Sequence, residues 1–182
     1  MPAPVVAEIV RSGFVEGHHY GSLVALEADG SVAWSVGDTE SAILPRSCNK
    51  LMQAVAMLRA GLELDGELLA LACASHSGEP FHLEGVRRIL DRVGLDESAL
   101  QTTRGYPLDD EARVAHIRAG LDETSLAMNC SGKHAAMLAT CVANGWDTAT
   151  YLEPDHPVQQ VILETFAELT GEPVEAVAVD GC

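Results

Sequence analysis

A serine and a lysine three residues apart, Ser47 and Lys50 in the run Pro45-Arg46-Ser47-Cys48-Asn49-Lys50-Leu51-Met52, have the types and spacing for nucleophilic chemistry. Residues at i and i+3 of a helix face the same way, so the amine can reach the hydroxyl. A lysine whose pKa is lowered by burial or by neighbouring cations can take the hydroxyl proton as the oxygen attacks a carbonyl carbon, leaving an acyl-serine. Pro45 favours a helix start. Leu51, Ala54, Met57 and Leu58 continue an apolar face behind it, which puts Ser47 near the positive end of the helix dipole. The competing reading makes Ser47 a plain N-cap and Lys50 a solvated first-turn residue.

Three further clusters carry reactive side chains. In Cys73-Ala74-Ser75-His76-Ser77-Gly78-Glu79-Pro80 an apolar helical run breaks into small polar residues, a loop able to present a hydroxyl or simply a helix end with capping serines. Asn129-Cys130-Ser131-Gly132-Lys133-His134 opens another helix, with Ala135, Leu138 and Val142 as its apolar face. A cysteine at such a helix start, beside a lysine, is a candidate nucleophile or soft metal ligand. The plain alternative is a small buried cysteine with Lys133 and His134 in solvent. The third cluster, Val179-Asp180-Gly181-Cys182, lies at a strand end, where side chains commonly line an α/β crevice, although Asp180 equally suits a turn hydrogen bond.

The elements that must position these groups are legible from pattern. Val5 to Val10, Gly21 to Glu27 and Val32 to Val36 are β-prone, and Asp29-Gly30 between the last two signals a hairpin. After Pro45 apolar residues recur at helical spacing, predicting helices near 47–60, 66–74, 81–93, 109–119, 132–144 and 156–170. Gly61, Gly94, Gly120, Gly145 and Gly171 stand where C-terminal caps belong. A last β-prone run covers Val174 to Val179. The expected class is α/β, an antiparallel hairpin followed by a helical section, in one domain over 1–182 with a change of character near Pro45. The exposed edges of so small a sheet predict that this is the N-terminal portion of a longer domain.

Composition bounds the partners. In 182 residues, 27 acidic against 11 basic side chains give a formal net charge of -16, which repels nucleic acid and anionic lipid surfaces. No basic-then-apolar leader and no membrane-length apolar run is present, so a cytoplasmic protein is expected. The five cysteines, Cys48, Cys73, Cys130, Cys141 and Cys182, are odd in number and irregularly spaced, which predicts reduced thiols rather than a disulfide framework.

Taken together, Arg-Ser-x-x-Lys at 46–50, Cys-Ala-Ser-His-Ser at 73–77, Asn-Cys-Ser-Gly-Lys-His at 129–134, Pro-Asp-His-Pro at 154–157 and Asp-Gly-Cys at 180–182 resemble the L-asparaginase II family, typified by the inducible rhizobial asparaginase. The resemblance spans essentially the whole chain and implies a fold like that of serine β-lactamases and penicillin-binding proteins. It implies hydrolysis of L-asparagine to L-aspartate and ammonia, with Ser47 and Lys50 as nucleophile and base. Ser75 matches the family's second active-site serine, with Ser77 close enough to exchange with it. Cys130, Lys133 and Cys182 match zinc ligands, with Asp180 beside the metal, and a homodimer is implied as well. Two thiolates and one neutral amine would leave a fourth tetrahedral position open for substrate or water. Family members run longer and carry another active-site lysine in their C-terminal half, so this stretch alone is expected to be inactive.

Other readings use the same residues. A β-lactamase or penicillin-recognising enzyme shares the Ser-x-x-Lys element. A non-catalytic zinc or redox module would use Cys130 and Cys182, and an amidase could use Cys130 itself as nucleophile. The choice among asparagine, glutamine and other small amides depends on pocket contacts.

Overall fold

Ser12 and Gly13 both have positive φ, 50° and 81°, the backbone of a type I′ two-residue turn that matches the twist of paired strands. It joins β1 (Val5–Arg11) to β2 (Phe14–Tyr20) in an antiparallel pair. A second hairpin follows, β3 (Leu23–Leu26) with β4 (Val32–Val36). Its turn closes as expected around Asp29-Gly30, where the Asp29 carboxylate accepts hydrogen bonds from the Ser31 backbone N–H and hydroxyl. The sequence pattern predicted a single opening hairpin; the structure has two. The strand it missed, β2, contains Gly17-His18-His19 in place of alternating apolar residues, so only the Ser-Gly turn announces it.

The computed structural model describes residues 3–174, a mixed α/β arrangement of two small antiparallel sheets and six helices. The chain divides into two compact units, Met1–Leu44 and Pro45–Cys182. The first holds the two hairpins, whose apolar side chains Val10, Phe14, Leu26, Val32 and Trp34 are exposed.

The second unit is helical among its described residues. A 3-10 turn over Arg46–Asn49 leads into α1 (Lys50–Arg59), followed by α2 (Gly66–Ala72), α3 (Pro80–Asp91), α4 (Asp110–Arg118), α5 (Ser131–Asn144) and α6 (Pro157–Thr170). These agree with the six predicted spans to within a few residues. All five predicted capping glycines have positive φ, between 66° and 94°. None of the described helices is long and apolar enough to cross a membrane. The predicted strand at 174–179 falls, from Glu175 onward, outside the described residues.

Helix α5 is the axis of this unit. Every residue from Ser131 to Cys141 is buried, and α1, α2, α3 and α6 pack around it. A helix buried on all sides needs apolar or fully partnered side chains all round. Ala135, Ala136, Leu138 and Cys141 meet Ala56, Met57, Leu68, Val86, Ile89, Val158 and Ile162 in one core. Gly132 permits the close approach of α2, since a Cβ there would stand 2.7 Å from the Leu71 carbonyl oxygen and 2.8 Å from its Cγ. Gly132→Ala is therefore expected to destabilise the protein by about 2 kcal/mol, because backbone of α2 would have to move. Chemical denaturation checks this; an unchanged midpoint would show that the two helices separate freely.

Candidate active site

The chain after α2 is pulled across the start of α5, and this crossing assembles the site. Beyond Ala72 the loop carries Ser75, His76 and Ser77; the His76 backbone N–H donates to the Asn129 carbonyl at 3.0 Å, and the Asp109 N–H donates to the Ser77 carbonyl at 2.8 Å. Gly78 completes the turn at φ 82°, with no room for a side chain against Pro107.

Lys50, the first residue of α1, reaches into this crossing. Its side chain is 3% exposed, and its amine donates to the Ser75 hydroxyl at 2.7 Å, the Ala74 carbonyl at 3.1 Å and the Cys130 sulfur at 3.2 Å. The Cys130 thiol in turn donates to the Asn129 side-chain oxygen at 2.8 Å. Lys50, Ser75 and Cys130, separated by 25 and 55 residues in sequence, thus form one contact group.

Ser47 and Ser75 are exposed, whereas Lys50 and Cys130 are buried. Ser47 lies in the 3-10 turn, its carbonyl accepting from the Lys50 backbone N–H. In a 3-10 turn the side chains at i and i+3 eclipse, so Ser47 and Lys50 share a face, although the hydroxyl that Lys50 holds here is that of Ser75. Arg46, just before Ser47, has φ 53°, a left-handed conformation that costs a non-glycine residue on the order of 1 kcal/mol and clusters at functional sites. The Ser77 hydroxyl points elsewhere, donating to Glu79 at 2.6 Å.

At the head of α5, Cys130 and Lys133 are one helical turn apart and both buried. A cysteine thiolate suits a soft or borderline metal such as zinc, whereas the lysine amine could ligate only after losing its proton. Cys182 and Asp180, the other residues expected there, lie outside the described residues. Among the described residues, no group of three His, Cys, Asp or Glu side chains could hold a metal ion. The reading that leaves Lys133 and His134 in solvent is overturned, because the encircling helices bury both.

Two histidines in these walls had no role in the sequence reading. His76 Nε2 lies 2.8 Å from the Ser131 hydroxyl, and His134 Nδ1 lies 2.9 Å from the Tyr151 hydroxyl, which also accepts from the Gln101 N–H. Both stand inside motifs, but their partners are 55 and 17 residues away, so no local pattern marks them. Pro-Asp-His-Pro proves to be a helix start. His156 Nδ1 accepts from the Val158 N–H, capping α6, and Nε2 donates to the Asp147 carbonyl.

Burial drives both site histidines toward the neutral form. His76 falls to about 4, through burial and then through His82 and Lys50. His134 falls to about 3, through burial and then through Lys133 and Lys50. Burial raises the Tyr151 phenol to about 12, so it remains protonated. A histidine whose folded pKa is depressed refuses protons that the unfolded chain accepts below about 6.5. Stability should therefore be full above that pH and fall as pH drops toward 4, each histidine contributing a slope of up to about 1.4 kcal/mol per pH unit. In denaturant unfolding between pH 7.5 and 5, His134→Gln should lose about one proton from that slope. Identical slopes in the two proteins would show that His134 does not resist protonation.

Among known families, the model described as L-asparaginase II matches residues 7–182. No curated protein matches the chain.

Proposed function

This chain belongs to the L-asparaginase II family, and on that premise we propose that it hydrolyses L-asparagine to L-aspartate and ammonia through an acyl-serine intermediate. An asparaginase-type function with an amide substrate follows from the family itself. The observation that carries the finer reading is the buried Lys50 amine, 2.7 Å from the Ser75 hydroxyl and one 3-10 turn after the exposed Ser47.

In this reading the Ser47 oxygen attacks the side-chain amide carbon and its proton passes to the neutral Lys50 amine. The protonated amine returns that proton to the departing nitrogen, which leaves as ammonia. Water then attacks the aspartyl-serine ester and gives one proton to Lys50, which passes it to the departing Ser47 oxygen as aspartate is released. Ser75, already bonded to the same amine, keeps Lys50 in place and can pass the proton between them. Zinc, when bound, would be held by Cys130, Lys133 and Cys182 with Asp180 beside it, supplying positive charge that orients the amino-acid end of the substrate. The β-lactamase-like fold is part of the same proposal.

The 3.2 Å contact between Lys50 and the Cys130 sulfur favours one alternative, Cys130 as the nucleophile. That alternative predicts rapid loss of turnover to thiol alkylation even when no metal is present. The primary test is ammonia release by the full-length gene product from L-asparagine, L-glutamine and a β-lactam control. Turnover of asparagine is expected; hydrolysis of the β-lactam alone would overturn the assignment.

A further inference from the structure

We propose that His76 is a positioning residue for this reaction, clamping the loop that carries Ser75 onto the head of α5 so that the Ser75 hydroxyl meets the Lys50 amine. The inference rests on the functional reading above. His76 makes two ties to the same short stretch: its backbone N–H donates to the Asn129 carbonyl at 3.0 Å, and ring Nε2 lies 2.8 Å from the Ser131 hydroxyl. These anchors flank Cys130, the other side-chain partner of Lys50.

The hydrogens on this path can be assigned. The fully buried Ser131 hydroxyl donates its one proton to the Leu126 carbonyl at 2.8 Å, so it must accept from the ring. His76 therefore carries its proton on Nε2. Its Nδ1 keeps a bare lone pair that is buried and, among the described residues, without a hydrogen-bond partner, while the ring stacks on His82 with centroids 5.3 Å apart. An apolar ring would fill the same space without leaving a buried acceptor unpaired, which normally costs stability. What phenylalanine lacks is the Nε2–H that grips Ser131. Because Ser75 is the adjacent residue, slack in this clamp moves its hydroxyl directly, and displacements near 1 Å can cost up to about a hundredfold in rate.

The test compares His76→Gln, whose side-chain nitrogen can reach the Nε2 position, with His76→Asn, whose amide is one carbon shorter. The asparagine variant should lower kcat by roughly 10- to 100-fold with KM within about twofold, and glutamine should restore kcat to within about fivefold of wild type. Ser131→Ala should reproduce the loss, and combining it with His76→Asn should add little, because both break one link. Retained kcat in His76→Asn, equal losses in both His76 variants, or multiplying losses in the double variant would each overturn the clamp. If His76→Asn fails to fold, Ser131→Ala alone decides by the same kcat and KM comparison. Nitrogen-15 NMR of the wild type reads the tautomer without any turnover: a proton on Nε2 is expected, and one on Nδ1 refutes the clamp even if the protein hydrolyses no asparagine. Absence of turnover with the expected tautomer overturns the functional reading instead.

Discussion

Ser47→Ala is expected to lower the rate of ammonia release from L-asparagine by at least about a thousandfold, while the thermal midpoint and any zinc content of the purified protein stay at wild-type values. The activity loss follows from removing the atom proposed to form the ester; without it the remaining groups give only binding and electrostatic catalysis. Stability should hold because Ser47 is exposed and contributes its backbone carbonyl, not its hydroxyl, to the 3-10 turn. Any zinc content should hold because Cys130 and Lys133, its proposed ligands, are set by α5, a different element. The informative comparison is Ser75→Ala, since Ser75 is the hydroxyl that touches Lys50. If Ser75→Ala is dead and Ser47→Ala turns over, the roles of the two serines are exchanged; if both turn over, the nucleophile is Cys130.

Lys50→Met removes turnover to a similar extent and leaves the protein as stable or slightly more so. The lysine is buried, and among the described residues its partners are a hydroxyl, a carbonyl and a thiol rather than a carboxylate. Such a site contributes little to folding, because burying a cation costs more than neutral partners return. Methionine has nearly the same length and fills the space without that cost, at the expense of leaving the Ala74 carbonyl without its donor. The two effects nearly cancel, so a shift within a few degrees is expected in the thermal midpoint. A fall of ten degrees or more would show that Lys50 is a structural strut and not a base held at a cost to the fold.

Helix positions were legible because their signals are local. The five glycines at helix ends and the 3.6-residue apolar period each act within a turn or two, and the backbone follows them. The hairpin at Asp29-Gly30 was legible for the same reason. Strand β2 was not, since its polar middle residues remove the alternation on which strand recognition depends. The start of α1 also differed in kind: the spacing of Ser47 and Lys50 predicts a regular helix, whereas a 3-10 turn with a left-handed Arg46 precedes it.

From sequence alone came the family, the inventory of reactive residues and the elements that carry them, because motif spacing and short-range periodicity are properties of the chain itself. The partnerships were decided only by tertiary structure. That Lys50 lies on Ser75 and Cys130, that Lys133 and His134 are buried, and that the His76 ring meets the Ser131 hydroxyl all depend on how α5 packs among its neighbouring helices. Burial sets which polar groups must find partners and which protonation state they keep, and burial is a property of the assembled core.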